Sequence, residues 1–325
     1  MASMSNLARL LKESWGLVEE QQTVDGYLRG LGRDHRKFHV QPEHYGQVKS
    51  ALLEALRVFA GEGWSIEYEQ AWSDMYDLIA NKMIAGAQDD TDPPYWHAEV
   101  LTHERRGPDV AVFTCRPLHP LRFRAGQYVS VECRYQPRMW RTYSMANAPR
   151  EDGTLEFHVR AVGAGWVSSA LVRRLRPGDM LRLAAPMGAM TLDSGSTRDI
   201  VCVAGGTGLA PVKALIDELS RYNRTRWVYL FRGVRKRDDL YDRVHLEQLT
   251  ARYPWLNLVR AVSDDPDYGD AEHGDVAEVV ARHGPWRDHD FYVSGSAPMV
   301  KATLRALAAH EVPSTRIRYD AFSEF

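Results

Sequence analysis

Cysteine is scarce. The 325 residues hold three, Cys115, Cys133 and Cys202, far apart and each inside a strand-like apolar stretch. That pattern suits reduced, buried thiols better than a disulfide framework or a metal cluster, and three thiols fall short of the four thiolates of a plant-type iron–sulfur centre. Net charge is sparse as well: 41 Lys and Arg stand against 43 Asp and Glu, a formal charge of -2. No basic field marks nucleic acid or an acidic membrane surface as the main partner. Long apolar runs are also missing. The opening "MASMSNLARLLKESWGLVEE" breaks into charge after a few residues, unlike a signal peptide or a membrane span, so the expectation is a cytoplasmic protein that works on small molecules.

The chain has room for two or three domains, and its texture changes twice. Up to about residue 90, "GQVKSALLEALRVFAGEG" and "SIEYEQAWSDMYDLIANKMIAGA" repeat apolar residues at spacings of three and four, with Gly61 and Gly63 as a stop between them. The acidic, proline-containing "QDDTDPP" then reads as a linker. From there to about residue 195 the period falls to two in "VAVFTC", "QYVSVEC", "TLEFHVRAV" and "DMLRLAAP", which predicts a small antiparallel barrel or sandwich. Beyond residue 198, "DIVCVAGG", "RWVYLFRG", "LNLVRAVS" and "HDFYVSGS" alternate with helical runs, the pattern of a parallel sheet. The expected fold is multidomain: an all-α segment over residues 1–92, an antiparallel β-barrel over 93–197 and a doubly wound α/β domain over 198–325.

"IVCVAGGTGLAPVKALIDEL" is an apolar strand, a glycine turn and a helix expected to begin at Pro211. Gly205, Gly206 and Gly208, with Thr207 among them, keep side chains away from a ligand, and the helix start offers free N–H groups to a diphosphate. A second turn, "VSGSAPM" with Gly295, ends a later strand of the same sheet. Ligands sit at the carboxyl ends of such strands, so both turns can face one pocket.

In the barrel segment, "RTYS" packs a cation, a ring and a hydroxyl into four positions. Arg141 can neutralise a phosphate, Tyr143 can lie along a flavin and Ser144 can hydrogen-bond its reactive edge. Downstream, "GAGWVSSAL" puts Gly165 and Ser168 at the start of an apolar helical run, a second diphosphate-binding helix start. These residues resemble the ferredoxin reductase superfamily, with its Arg-x-Tyr-Ser flavin motif and Gly-Gly-Thr-Gly nicotinamide motif, across roughly residues 97 to 325. The resemblance implies FAD in the barrel and NADH or NADPH in the last domain. It also implies an aromatic cover over the flavin near the C-terminus. In "RYDAFSEF", Phe322 fits that cover, with Phe325 as competitor, and Asp320 stands where the family usually has glutamate. Arg232, Arg235, Lys236 and Arg237 follow the second strand of the sheet, where a 2′-phosphate could be met, although a solvated basic loop is the more common explanation. NADH is the expected donor and NADPH the alternative.

The helical end carries "DHRKFHVQPEHY". His35 and His39, four apart, share a face if the helix continues, and "VQPEHY" breaks it before the next helix. A histidine at the end of a short helix, followed by a break and Tyr45, suits a proximal haem ligand with an orienting neighbour, or else simply a polar face. Together with the "AWSDMY" helix, this stretch resembles the second half of the globin domain of flavohaemoglobins, in which a haem globin precedes the same FAD and NAD reductase. The resemblance implies haem b on His35 and a hydrogen-bonding Tyr45. It also implies conversion of nitric oxide and dioxygen to nitrate. Two departures stand out. Ala87 holds the place of a glutamate on the last globin helix, and only about 34 residues precede His35, which leaves "NLARLLKESWGL" as at most the distal helix of a shortened globin. The alternative is a haem-free NAD(P)H-dependent flavin reductase that passes electrons to a separate protein or a diffusible acceptor.

Overall fold

The computed structural model describes residues 21–322; the expected distal helix over "NLARLLKESWGL" and the competing Phe325 lie outside the described residues. Two compact units divide the chain, Met1–Tyr95 and Trp96–Phe325. Among the described residues no helix is long and apolar enough to cross a membrane.

Among the described residues of the first unit are helices α1 (Gln21–His35), α2 (Pro42–Ala60) and α3 (Ile66–Gln88). Each boundary has a local cause. A 3-10 turn, Arg36–Phe38, follows α1, and His39 then turns left-handed with φ 56°, so His35 and His39 do not share a helix face as their spacing suggested. Pro42 opens α2, where its missing N–H costs nothing. The Ser65 hydroxyl caps α3 by accepting from the Tyr68 N–H at 3.3 Å.

The packing of α1 on α3 rests on two glycines. A methyl added at Gly32 would overlap the Met83 carbonyl, and one at Gly86 would overlap the backbone of Arg29. Backbone therefore lies on backbone, with Leu28, Ala80 and Met83 buried alongside. Ion pairs from Arg29 to Asp89 (2.6 Å) and Arg36 to Asp90 (3.0 Å) tie the far ends. Gly32→Ala forces the two helices apart and should lower the unit's stability by about 3 kcal/mol, the upper range for overpacking. Urea unfolding followed by far-ultraviolet circular dichroism measures the loss.

The second unit contains both β-regions. Strands β1 (Trp96–Arg105), β2 (Val110–Pro117), β3 (Tyr128–Cys133), β4 (Arg141–Ser144), β5 (Leu155–Arg160) and β6 (Met180–Leu183) form an antiparallel sheet ordered β4-β3-β6-β1-β2-β5. A bridge between Met145 and Phe157 draws the two edges together, so the sheet is a nearly closed barrel. Phe113, Phe157, Met145 and Leu183 fill it. Val167 and Leu171 of α4 (Trp166–Arg173) complete that core. Cys115 and Cys133 are buried in the same core and Cys202 in the next, all as free thiols. Burial pushes the thiols of Cys115 and Cys202 up to about 12.

Strands β7 (Ile200–Gly205), β8 (Val228–Val234), β9 (Leu256–Val262), β10 (Glu272–His273), β11 (Asp290–Ser296) and β12 (Ile317–Phe322) run parallel in the order β10-β9-β8-β7-β11-β12. Apolar clusters cover both faces, as buried parallel strands require. From β7 the order runs one way to β8 and the other way to β11, which creates a switch point between β7 and β11.

Candidate functional site

The switch point brings the two glycine turns together. β7 ends at Gly205, a 3-10 turn covers Gly206–Gly208, and helix α5 (Leu209–Tyr222) begins two residues earlier than the expected start at Pro211. The turn itself winds helically, and Pro211 sits buried in the first turn of the helix. A Cβ at Gly208 would strike the backbone of Ser294, and one at Gly295, φ 155°, would strike Met299. Glycine at these positions lets the two turns touch. Gly206 differs: its φ is 52° and a Cβ there would meet nothing. That open space beside free amides at a helix start, with the Thr207 hydroxyl next to it, fits a dinucleotide phosphate.

Ser144 at the end of β4 and Asp320 in β12 are 176 residues apart, yet the Ser144 hydroxyl donates to the Asp320 carboxylate at 3.2 Å. Burial pushes the Asp320 carboxyl up, and the hydrogen bond only partly opposes it. Asp320 pairs in register with Ser294, and Phe322 with Ser296, so the carboxyl and the ring project to one face of β12 beside the second glycine turn. The side chain of Tyr143 packs against the barrel core, and burial raises its hydroxyl.

Arg141 is exposed. Its guanidinium donates to the Trp140 carbonyl at 2.9 Å and meets no carboxylate among the described residues. Such an unpaired cation fits a phosphate. Gly165 caps α4, where a side chain would collide with Ser168. The Ser168 hydroxyl, one of the expected binding groups, is already committed: it donates to the Gly165 carbonyl at 3.0 Å and accepts from the Val162 N–H at 3.3 Å. It shapes the turn, leaving the backbone amides of the helix start for an anion.

The position of the barrel on the sheet depends on charges that sequence reasoning missed. Lys213 of α5 reaches Glu156 of β5 at 2.9 Å and Asp242 at 3.2 Å. His158 of β5 has no exposed side-chain surface. Its Nδ1 accepts from the Tyr241 hydroxyl at 2.8 Å and its Nε2 donates to Glu156 at 2.9 Å. Burial pushes the His158 pKa down, so the ring is neutral in this arrangement. For Glu156 burial acts upward, but the His158 hydrogen bond and the Lys213 ammonium outweigh it and hold the carboxyl well below the usual carboxylate range. Nearby, Asp217 accepts from the Ala148 N–H at 2.9 Å. One signal was available in the sequence: Lys213 puts a cation near the positive end of a helix, which is unfavourable unless an anion meets it.

Arg232 corrects the reading of the basic loop. β8 continues to Val234, so Arg232 lies within the strand and is 1% exposed. Its Nη1 donates to the Ala204 and Gly233 carbonyls at 3.1 and 3.2 Å, and its guanidinium lies 5.5 Å from the centre of the Tyr241 ring. It is not available to a 2′-phosphate in solvent. Arg235, Lys236 and Arg237 are exposed and remain so.

In the helical unit, His35 ends α1, and its Nδ1 donates to the Leu31 carbonyl at 2.8 Å. That bond fixes the tautomer in which Nε2 carries a free lone pair, as an iron ligand requires. Tyr45 makes no hydrogen bond to His35 among the described residues. A backbone carbonyl one helical turn back takes the orienting role expected of it, while burial and the nearby Tyr76 raise the Tyr45 hydroxyl. Ala87 offers no carboxylate.

The globin family model matches residues 2–83, the oxidoreductase FAD-binding domain residues 97–192 and the oxidoreductase NAD-binding domain residues 202–305. The flavohemoprotein of Bordetella pertussis is 30% identical over 334 residues, covering 94% of this chain and 82% of that protein. The reductase component of a naphthalene 1,2-dioxygenase/salicylate 5-hydroxylase system from Ralstonia is 34% identical, covering 62% of this chain and 61% of its own. Among solved structures, a flavohemoglobin from Malassezia yamatoensis with bound FAD and heme shares the fold with a TM-score of 0.78 at 18% identity, over 92% of this chain and 79% of that one.

The clamp around Lys213 has a measurable consequence. Glu156→Gln should cost about 3 kcal/mol at neutral pH, the scale of a broken buried pair. Because the folded carboxyl is depressed from 4.5, its contribution is complete above that pH and declines as pH falls below it. Urea unfolding of both proteins at pH 7 and pH 3.5 should show the difference shrinking in acid.

Proposed function

The chain belongs to the flavohaemoprotein family, and from that premise we propose that it uses NADH to drive the conversion of nitric oxide and dioxygen to nitrate. It is an FAD-dependent NAD(P)H oxidoreductase, with nicotinamide and flavin domains joined to a globin segment. The observation that carries the finer reading is the His35 ring, held by the Leu31 carbonyl through Nδ1 so that Nε2 has no hydrogen-bond partner among the described residues, in one chain with a pair of glycine turns. When bound, FAD passes the electron pair of a nicotinamide on one electron at a time, and haem b provides the iron at which the two gases react.

Around those groups the residues have distinct tasks. Arg141 and the α4 start at Gly165 hold the flavin diphosphate. Tyr143 and Phe322 would supply the aromatic contacts to its ring system. Gly205, Gly206, Thr207, Gly208 and Gly295 receive the nicotinamide dinucleotide, with Pro211 stiffening the helix behind them. Ser144 and Asp320, in contact at 3.2 Å, would serve as the polar, proton-holding pair beside the flavin. Burial pushes the Asp320 carboxyl up, against the Ser144 hydrogen bond, and so favours its taking up a proton. His35 holds the haem and Tyr45 lies near it. Residues 1–92, 93–197 and 198–325 are the working domain division, and the unit break after Tyr95 supports the first boundary. A reduced nicotinamide donor points to the cytoplasm. The likeness to dioxygenase reductase components supports a protein acceptor as the second reading.

Arg141→Ala should lower flavin content at least tenfold after purification, read from the 450 nm absorbance. His35→Ala should abolish the haem Soret band and the NADH-dependent carbon monoxide shift while sparing NADH-driven reduction of a dye. Equal haem content in the two proteins would refute His35 as the ligand. Flavin reduction with no bound haem in the unsubstituted chain would favour the second reading.

A further inference from the structure

Arg232 is a buried cation that neither the glycine turns nor the Lys213 clamp accounts for. It shares a sheet face with Val228 and Leu230 of β8, and that face is covered by α5 and by Val110 and Ala148 of the barrel segment. Its surroundings are therefore largely apolar. An apolar side chain would pack there without charge, whereas a guanidinium only 1% exposed carries the cost of leaving water. Its contacts are two carbonyls and the Tyr241 ring, with no carboxylate in ion-pair contact among the described residues. Nη2 is buried and has no hydrogen-bond partner among them. A buried group left so incompletely satisfied calls for a reason other than stability.

The contacts reach toward both halves of the reaction. Ala204 immediately precedes Gly205, and Gly205 pairs in register with Gly233. Nη1, donating to the Ala204 and Gly233 carbonyls at 3.1 and 3.2 Å, ties the ends of β7 and β8 together beneath the first glycine turn. On its other side the guanidinium lies 5.5 Å from the centre of the Tyr241 ring, and the Tyr241 hydroxyl donates to His158 of β5 at 2.8 Å. One side chain thus links the turn to the barrel. A guanidinium suits this task because its donors are fixed in one plane, so the carbonyls that hold it also set how it lies against the ring. An ammonium on a flexible stem keeps the charge but fixes no plane.

We infer that Arg232 is a positioning residue for the nicotinamide-to-flavin step: it fixes the first glycine turn relative to the barrel, and its unneutralised charge draws the dinucleotide phosphate to that turn. The inference rests on the proposed dinucleotide and flavin sites. Arg232 acts through the backbone of the turn and through Tyr241, and touches neither cofactor itself. The two reacting rings are held by different β-regions, and a misplacement of about 1 Å can cost about a hundredfold in rate. In a low-dielectric interior a charge without a counterion also acts over a longer range than it would in water.

The experiment mixes the full-length, flavin-loaded protein with NADH without oxygen and follows flavin bleaching. A parallel titration of flavin-stripped protein, read from NADH fluorescence, measures binding alone. Arg232→Lys keeps the charge and loses the planar fork, so the limiting rate of flavin reduction should fall about tenfold while NADH binding is unchanged. Arg232→Met loses both, so the rate should fall as far and NADH should bind about tenfold more weakly. Tyr241→Phe keeps the ring and loses the bond to His158. It should also slow flavin reduction, and combined with Arg232→Lys it should be no slower than the slower single variant. Flavin content and reduction by dithionite should be the same in all of them. An unchanged limiting rate in Arg232→Lys, losses that multiply in the double variant, or unchanged NADH affinity in Arg232→Met would overturn the inference. Arg232→Lys and Tyr241→Phe decide the positioning role even if Arg232→Met does not fold. Failure of NADH to reduce the flavin of the unsubstituted protein would instead overturn the dinucleotide reading on which the inference rests.

Discussion

The Lys213 ammonium, enclosed by Glu156 of the barrel and Asp242 beyond β8, is the contact on which the geometry of the reductase half depends. A buried cation with one carboxylate from each β-region is satisfied only when the two regions sit in one orientation. His158 and Tyr241 narrow that orientation further, since a neutral imidazole accepting on one nitrogen and donating on the other has little angular freedom. With the barrel so held, Ser144 reaches Asp320. Two residues from opposite ends of the unit become neighbours because charges elsewhere are matched.

Close backbone approach is the second theme, used twice for different ends. Between α1 and α3, Gly32 and Gly86 let backbones meet in a helical unit with few buried side chains. Between β7 and β11, Gly208 and Gly295 let two turns meet at the switch point, while Gly206 leaves space that none of the described residues fills. In the first case the absent side chain admits another helix. In the second it leaves room for the proposed dinucleotide.

The two proposed cofactor ends are prepared by different means. At the proposed flavin diphosphate site, Arg141 meets no carboxylate among the described residues, so its charge is available to a phosphate. At the helical end, His35 Nδ1 donates to the Leu31 carbonyl, which orients the ring and leaves Nε2 as the nitrogen for a ligand. Arg232 is a third case. It is buried on two carbonyls and an aromatic face, and burial pushes its pKa down.

Much of this organisation was legible from local pattern. Period two over the barrel strands, strand and helix alternation after residue 198, the glycine turns and the Pro42 helix break are all written in near neighbours, because backbone periodicity and turn chemistry act over a few residues. The motif residues Arg141, Ser144, Gly206 and His35 were visible for the same reason. Near neighbours misled where an element ran longer or shorter than its composition suggested: β8 carried Arg232 inside, and α1 stopped before His39. The Glu156–Lys213–Asp242 clamp, the Ser144–Asp320 contact and the Leu31 carbonyl on His35 appeared only with the fold. The alternating polar positions of "LEFHVR" look like an ordinary solvent face until a second domain buries them. Local sequence determined which residues could bind and which segments could become strands or helices. The tertiary structure decided which charges were shared and which stayed free, because the partners of a buried charge come from chain segments far apart in sequence.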